Sequence, residues 1–488
     1  MRPSAKQSST GLSRLPNQEK PTQAKGAHQA PSGPSSAVQS PASQSPNGQS
    51  SFVDPSRAAT LYQQWRAQLG QSPQGDPGAQ LDRPDLRLIM LRVFGETRRL
   101  SQACMTYPQA AADALLEGPD SIIGATGRKL TSLNRGVGSA QKLHDALTPL
   151  KDSVDLAISL AVLSGTWDVH RASSARTDFA ERLCDTVLAW LVRAAVKRGE
   201  LSLASDEDAN HEAPKDKERE SSQPGITAGL FMIAGHSFAH EDITGTGPLD
   251  LVCVYEPDLV KPGAGTSNER ALIRIGAELR DVMEGSSGSY PLYHLTTPFG
   301  SKLNGAGLME ARSAIERQIG APQSEILRSW FATARIVAGD RDAGGDFLEH
   351  IDATVWNDGP LLTHETTQTI RLKMKSLFPA YQAISDLCRL TLGKARPAFR
   401  TASTHDVFQT AGTSNIIAAP LANRLMAGFE LANLIDVASL AVCGERLNDT
   451  LFKASEEAPD PRAENIANLC GFGAVSYTHL TLPTIYSV

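Results

Sequence analysis

Residues 229–255 read Gly-Leu-Phe-Met-Ile-Ala-Gly-His-Ser-Phe-Ala-His-Glu-Asp-Ile-Thr-Gly-Thr-Gly-Pro-Leu-Asp-Leu-Val-Cys-Val-Tyr. Two apolar runs, Leu230–Ala234 and Leu249–Tyr255, each have the length of a buried strand, and a loop rich in glycine separates them. The pattern predicts a strand-loop-strand unit. Asp250 is the only charge inside the second run. A carboxylate at the start of a buried strand needs a cation, a donor or a metal, so Asp250 is the first candidate functional residue.

Working outward, 488 residues at 41% hydrophobic allow two or three domains with real cores. A net charge of -6 and a pI of about 6.0 give no reason to propose nucleic acid or an anionic membrane as partner. The six cysteines never fall in C-x-x-C spacing, and several sit in apolar runs as small core residues, which fits a reducing, cytoplasmic setting. No uninterrupted apolar run approaches the roughly 20 residues that cross a bilayer. A soluble protein is expected.

Residues 1–60 are dominated by Ser, Pro, Gln, Gly and Ala, with near-repeats such as Gln39-Ser40-Pro41 and Gln44-Ser45-Pro46, and are expected to be disordered. Residues 80–203 carry helical spacing; Leu183, Val187, Trp190, Leu191 and Ala194 share one face of the last helix, as a packed scaffold requires. Residues 204–225 form a charge-dense linker, and 226–345 form the core around the quoted stretch. Within the core, Glu269–Met283, Glu310–Gln318 and Glu325–Ala334 read as helices. Residues 346–474 are helical again, over roughly 346–356, 364–391, 414–445 and 461–470. Residues 475–488 follow no helical pattern and read as a non-native tail, which implies a truncated C-terminal bundle. The fold class expected is α+β, a small sheet between two helical bundles.

The quoted stretch resembles the nucleotidyltransferase core of the glutamine synthetase adenylyltransferase family. That core reads G-L-x-x-L-G-M-G-K-L-G-x-R-E-L-x-Y-x-S-D-I-D-L-I-x-x-Y-D and matches residues 229–256 without a gap. Arg335-Ile336-Val337-Ala338-Gly339-Asp340 is similar to the family's A-R-x-V-A-G-D. Leu100–Gly118 and Leu150–Trp167 resemble its two early helical signatures. The resemblance runs from about 85 to 455. It implies AMP transfer to or from a tyrosine of glutamine synthetase, with Mg²⁺ and ATP or ADP as cofactors, glutamine synthetase and a PII-type regulator as partners, and paired domains of which this is the N-terminal, AMP-removing one.

The family's S-D-x-D places two carboxylates on one face of a strand, and a third acid comes from a D-L-R-L-R strand that would fall near Tyr290–Phe299. Such a set holds the metals that bridge phosphates. Here Gly247 replaces the Ser, Pro248 replaces the first Asp, and only Asp250 is kept as metal ligand and catalytic remnant. No Asp or Glu occurs from Gly285 to Met309. The phosphate-cradling G-M-G-K-L-G becomes Ala234-Gly235-His236-Ser237-Phe238-Ala239, which leaves Gly235 and Ser237, with Arg335, as candidate nucleotide contacts. Arg335 reads equally as a structural ion pair. Glu241 and Asp242 are acids that could swing toward Asp250. His236 and His240, spaced i, i+4, lack the H-E-x-x-H glutamate of a zinc helix, and Gly263-Ala264-Gly265 lacks the Gly-Lys-Ser/Thr of a P-loop. The first functional reading is a family relative with a degenerate metal site and a scaffold or regulatory role. The alternatives are an active adenylylating or deadenylylating enzyme and a helical interaction module.

Overall fold

Strand β2 (Leu230–Ala234) lies antiparallel beside β3 (Leu249–Tyr255), with Leu230 opposite Tyr255 and Ala234 opposite Leu251. Both strands have the bounds that their apolar runs predict. The computed structural model describes residues 54–70, 78–133, 137–202, 227–245, 247–263, 267–286, 289–300, 308–374, 377–444 and 461–471. The linker 204–225, the tail 475–488 and residues 1–53 of the expected disordered segment lie outside these described residues.

The helical segment ahead of the sheet contains α1 (Pro55–Leu69), α2 (Gly78–Leu81), α3 (Pro84–Glu96), α4 (Arg99–Thr106), α5 (Pro108–Leu116), α6 (Pro119–Leu133), α7 (Ala140–Leu163) and α8 (Val169–Lys197). The sequence punctuates these helices in familiar ways. Proline opens α1, α3 and α5, and Asp54, Ser139 and Asp168 accept the free N–H groups at the starts of α1, α7 and α8. Helix α1 begins inside the stretch 1–60, because Ala58, Tyr62, Trp65 and Leu69 recur at helical spacing and are buried against α3 and α5. The segment ends in a strand: β1 (Leu201–Ser202) pairs with β4 (Lys261–Pro262), where Gly263 lies so close to the Gly199 carbonyl that a Cβ would sit 1.8 Å from it.

After β3 and β4 come α10 (Asn268–Glu284), β5 (Leu295–Thr296), β6 (Met309–Ala311), α11 (Arg312–Ile319), α12 (Glu325–Phe331) and β7 (Arg335–Gly339); a single turn, α9 (His236–Ala239), follows β2. Strand order is β5-β3-β2-β7, with β6 running parallel to the far half of β3. Two sequence expectations are corrected here. Of Tyr290–Phe299 only Leu295–Thr296 forms a strand, and Glu310 belongs to β6 rather than to the following helix, which starts at Arg312.

The sheet is covered on both faces, which is why its strands read as continuous apolar runs rather than alternating ones. Met232, Ala234, Leu249, Leu251 and Cys253 pack with α7, α8 and α10, while Phe231, Ile233, Val252 and Val254 pack with α11, α12 and α13 (Arg341–Asn357). The motif at 335–340 is structural throughout. Gly339 has φ +85, and a Cβ there would lie 2.3 Å from the Leu230 carbonyl. Asp340 caps α13 through Ala343 N at 3.1 Å and accepts Gly229 N at 2.9 Å, fastening β7 to the start of β2.

The remaining helices are α14 (His364–Lys373), α15 (Leu377–Leu392), α16 (Thr404–Thr413), α17 (Ala419–Cys443) and α18 (Pro461–Leu469). The expected continuous helix 364–391 is two helices, and α16 was missed: Ser403 caps its start at Asp406 N, and Asn415, with φ +54, follows its end. Helix α17 packs on α16, α18, α4, α7 and α8. By length and composition α17 is apolar enough to cross a bilayer, which the sequence reading overlooked because Arg424, Glu430 and Asp436 interrupt the run; 56% of its apolar window is buried within the protein. The architecture is α+β.

Candidate functional site

The loop that leaves β2 is held from both ends. Gly235 N donates to the Asp250 carbonyl at 2.9 Å, so the loop starts directly beside Asp250. Gly235 itself is extended (φ -126, ψ 175), a conformation open to any residue, so its lack of a side chain is a matter of space. A Cβ there would lie 2.2 Å from the Trp330 indole. Trp330 thus packs directly against the backbone at Gly235. Gly235→Ala is expected to destabilise by about 1–3 kcal/mol through overpacking, and in a Trp330→Leu background the two costs should sum to less than their separate values. Urea unfolding of the four proteins measures this coupling.

Beyond α9 the loop is fixed to the C-terminal helices by buried charge. Asp242, 2% exposed, accepts the Thr404 backbone N–H at 3.0 Å and the Thr404 hydroxyl at 2.6 Å, so a residue of the core loop caps α16. Arg389 is fully buried, 3.7 Å from Asp242 and 2.9 Å from Asp386, and donates also to Ser385 Oγ and the Ala402 carbonyl. Lys373 reaches Asp386 at 3.4 Å, and His240 Nδ1 lies 3.8 Å from the same carboxylate. Burial pushes the Asp242 carboxyl up to about 6 against the pull of Arg389 and Thr404. Burial would also raise Asp386, but Lys373, Arg389 and the two histidines outweigh it and hold that carboxyl below the usual range. His240 is held well below 6.5 by burial and by Arg389, with Asp386 opposing; His236 is lowered by burial and Lys373, with Asp250 and Asp386 opposing.

A sign follows for stability. A histidine whose folded pKa is depressed stabilises above its unfolded pKa and loses that contribution as pH falls below about 6.5, at up to about 1.4 kcal/mol per pH unit. Asp242, raised to about 6, works the other way, adding stability as pH falls from about 6 toward its unfolded value. Within this network two histidines act against one aspartate, so its own contribution to the melting temperature is expected to drop between pH 7 and 5. His240→Leu should flatten that drop, as a pH series of thermal melts would show.

Asp250 is half-buried and lies on the sheet face of Val252 and Val254. The residue in register beside it on β5 is Thr296, whose hydroxyl donates to its carboxylate. A hydroxyl thus stands on the neighbouring strand, and Pro248 precedes. The two loop acids that might have joined it are committed elsewhere: Asp242 to Thr404 and Arg389, and Glu241 to the Ser174 hydroxyl of α8 at 3.1 Å. Ser237 contributes its carbonyl to Asp242 N at 2.9 Å. Arg335 donates to the Ala239 and Phe238 carbonyls, closing the C-terminal end of α9, and pairs with Glu181 at 2.5 Å. Of the sequence candidates, Gly235 and Asp250 are brought together, while the side chain of Arg335 is engaged by backbone and by α8.

The groups that shape this site from outside the quoted stretch are Trp330, Thr366, Lys373 and Asp386, which with His236 line a cleft of ≈ 80 Å³. Nothing in their spacing marked them. By itself this cleft falls below the range of common ligand pockets, about 300–1,000 Å³. Nor do the residues present fit the Mg²⁺ that the resemblance implies: among the described residues no cluster of carboxylates with metal-ligand spacing includes Asp250.

No protein-family model matches the chain. Among the curated relatives that align with it are three proteins, each a bifunctional glutamine synthetase adenylyltransferase/adenylyl-removing enzyme. The protein of Caulobacter vibrioides is 24% identical over 213 residues, 43% of this chain and 20% of its own length. That of Xanthobacter autotrophicus is 26% identical over 226 residues, 46% and 21% of the two chains, and that of a Bradyrhizobium species is 22% identical over 316 residues, 62% and 29%. The chain therefore spans between a fifth and three tenths of the length of these relatives. Over the part that aligns, the chain is a distant relative of the glutamine synthetase adenylyltransferase family.

Proposed function

We propose that the chain uses a nucleotidyltransferase-type core as a scaffold in the control of glutamine synthetase, without transferring AMP itself. The observation that carries this reading is the fate of the loop acids: Asp242 caps α16 and pairs with a fully buried arginine, so it is locked into the fold rather than free to bind metal. Glutamine synthetase is the partner that the relatives' names indicate, and a PII-type regulator is a second. Six free cysteines support a reducing, cytoplasmic setting. The competing reading, an active adenylylating or deadenylylating enzyme with an unusual metal site, is supported by the retention of a half-exposed Asp250 beside His236.

Two measurements on the purified chain test the proposal. Biolayer interferometry against glutamine synthetase should show binding, and incubation with adenylylated glutamine synthetase, Mg²⁺ and phosphate should release no AMP above background. AMP release that disappears in Asp250→Ala would promote the enzyme. Failure to bind either form of glutamine synthetase would sink the scaffold reading.

A further inference from the structure

Helix α8 opens with Val169-His170, and α16 opens with Thr404-His405-Asp406. The fold sets these two helix starts side by side. The imidazoles of His170 and His405 stack at 5.0 Å between centroids with 24° between planes. A nitrogen from each ring and a carboxylate oxygen of Asp406 all lie within 4.8 Å of one another. Among the described residues this is the one group of His, Cys, Asp and Glu side chains with metal-ligand spacing.

The two nitrogens of His405 are differentiated. Nδ1 is buried, has no hydrogen-bond partner and lies 3.5 Å from Asp406 Oδ1. Nε2 faces Glu430 Oε1 of α17 at 3.8 Å. A carboxylate on the far side of an imidazole is the arrangement that fixes the tautomer and orientation of a metal-bound histidine, and it leaves Nδ1 as the donor toward the centre of the cluster. Ligands about 2.0–2.2 Å from a common ion are separated by about 3–4 Å, so closing the cluster from 4.8 Å requires only small side-chain rotations.

We propose that His170, His405 and Asp406 bind a divalent transition-metal ion such as Zn²⁺, with Glu430 orienting His405 from behind. Two imidazoles and one carboxylate suit Zn²⁺, Co²⁺ or Ni²⁺ and disfavour Mg²⁺, which takes oxygen ligands. The site is therefore chemically separate from the Mg²⁺ chemistry of a nucleotidyl core. Its place in the fold gives it a structural task. Thr404, the neighbour of His405, holds Asp242, and Ser174, one turn after His170, holds Glu241. An ion at the junction braces the two segments that fix both acids of the core loop.

The test uses the full chain stripped with a chelator and then titrated with Zn²⁺ or Co²⁺ alone. One ion should bind per chain, Co²⁺ should develop visible d–d absorption, Zn²⁺ should raise the melting temperature by a few degrees, and Mg²⁺ should do neither. His170→Gln and His405→Gln should each weaken Zn²⁺ at least tenfold, and Glu430→Gln about tenfold, while melting like the parent in chelator. If a variant fails to fold, the other histidine variant and Glu430→Gln carry the comparison. Absence of stoichiometric binding in the parent at tens of micromolar metal overturns the proposal. So does binding that survives unchanged in His170→Gln and Glu430→Gln.

Discussion

Pro248→Asp is expected to leave AMP transfer at background, although it restores the first carboxylate of the family pattern. Residues two apart on a strand share a face, so the new carboxylate would stand beside Asp250. Two ligands still fall short of the three that the family pattern supplies, and the neighbouring strand offers Thr296, a hydroxyl already bound to Asp250. Metal bridging and charge compensation typically account for several kcal/mol of transition-state stabilisation, and about 4 kcal/mol is already a thousandfold in rate. His236 also stands where the family's loop has a glycine. The measurement is AMP release from adenylylated glutamine synthetase by the parent, by Pro248→Asp and by a Pro248→Asp/Thr296→Asp double variant. A thousandfold gain in the single variant would show that the site needed only one ligand, and the scaffold reading would be lost.

What could be read from the sequence follows the range of the interactions that decide it. The bounds of β2 and β3 were legible because both strands are buried on two faces, which compels continuous apolar runs. Helix α10 was legible for the converse reason, one apolar face repeated over four turns and a serine cap. The motif at 335–340 matched the family almost letter for letter, and the structure supplies a physical reason: Gly339 and Asp340 hold strand to strand and start α13. Helix α16 was illegible because it is only ten residues long and its signals, Ser403 and Asn415, also suit a loop. The charge network was illegible in principle. Asp242 and Thr404 are 162 residues apart, and no local pattern announces that a loop acid will cap a distant helix. Trp330 is likewise remote in sequence from Gly235, and no local pattern shows that its indole packs against that glycine.

Arg389→Met is expected to be the most damaging single substitution in this network, costing about 3–5 kcal/mol, because it removes one partner of buried charge pairs and leaves the others uncompensated. The methionine fills similar volume, so the loss reports charge rather than a cavity. Lys373→Met, which breaks the same carboxylate's link to a side chain that is 30% exposed, should cost less than about 1 kcal/mol. Two further results separate this account from simple packing. Adding Asp242→Asn to Arg389→Met should recover part of the loss, since the amide still accepts from Thr404 but no longer buries a charge. The deficit should also shrink at low pH. Asp242 has a folded pKa above its unfolded one, and losing Arg389 raises it further, so its unfavourable contribution grows as pH rises through that value and vanishes once the carboxyl is protonated. Urea midpoints for the parent and the three variants at pH 8 and pH 5 decide the matter: an Arg389→Met deficit that is equal at both pH values and unmoved by Asp242→Asn would mean that Arg389 acts by volume alone.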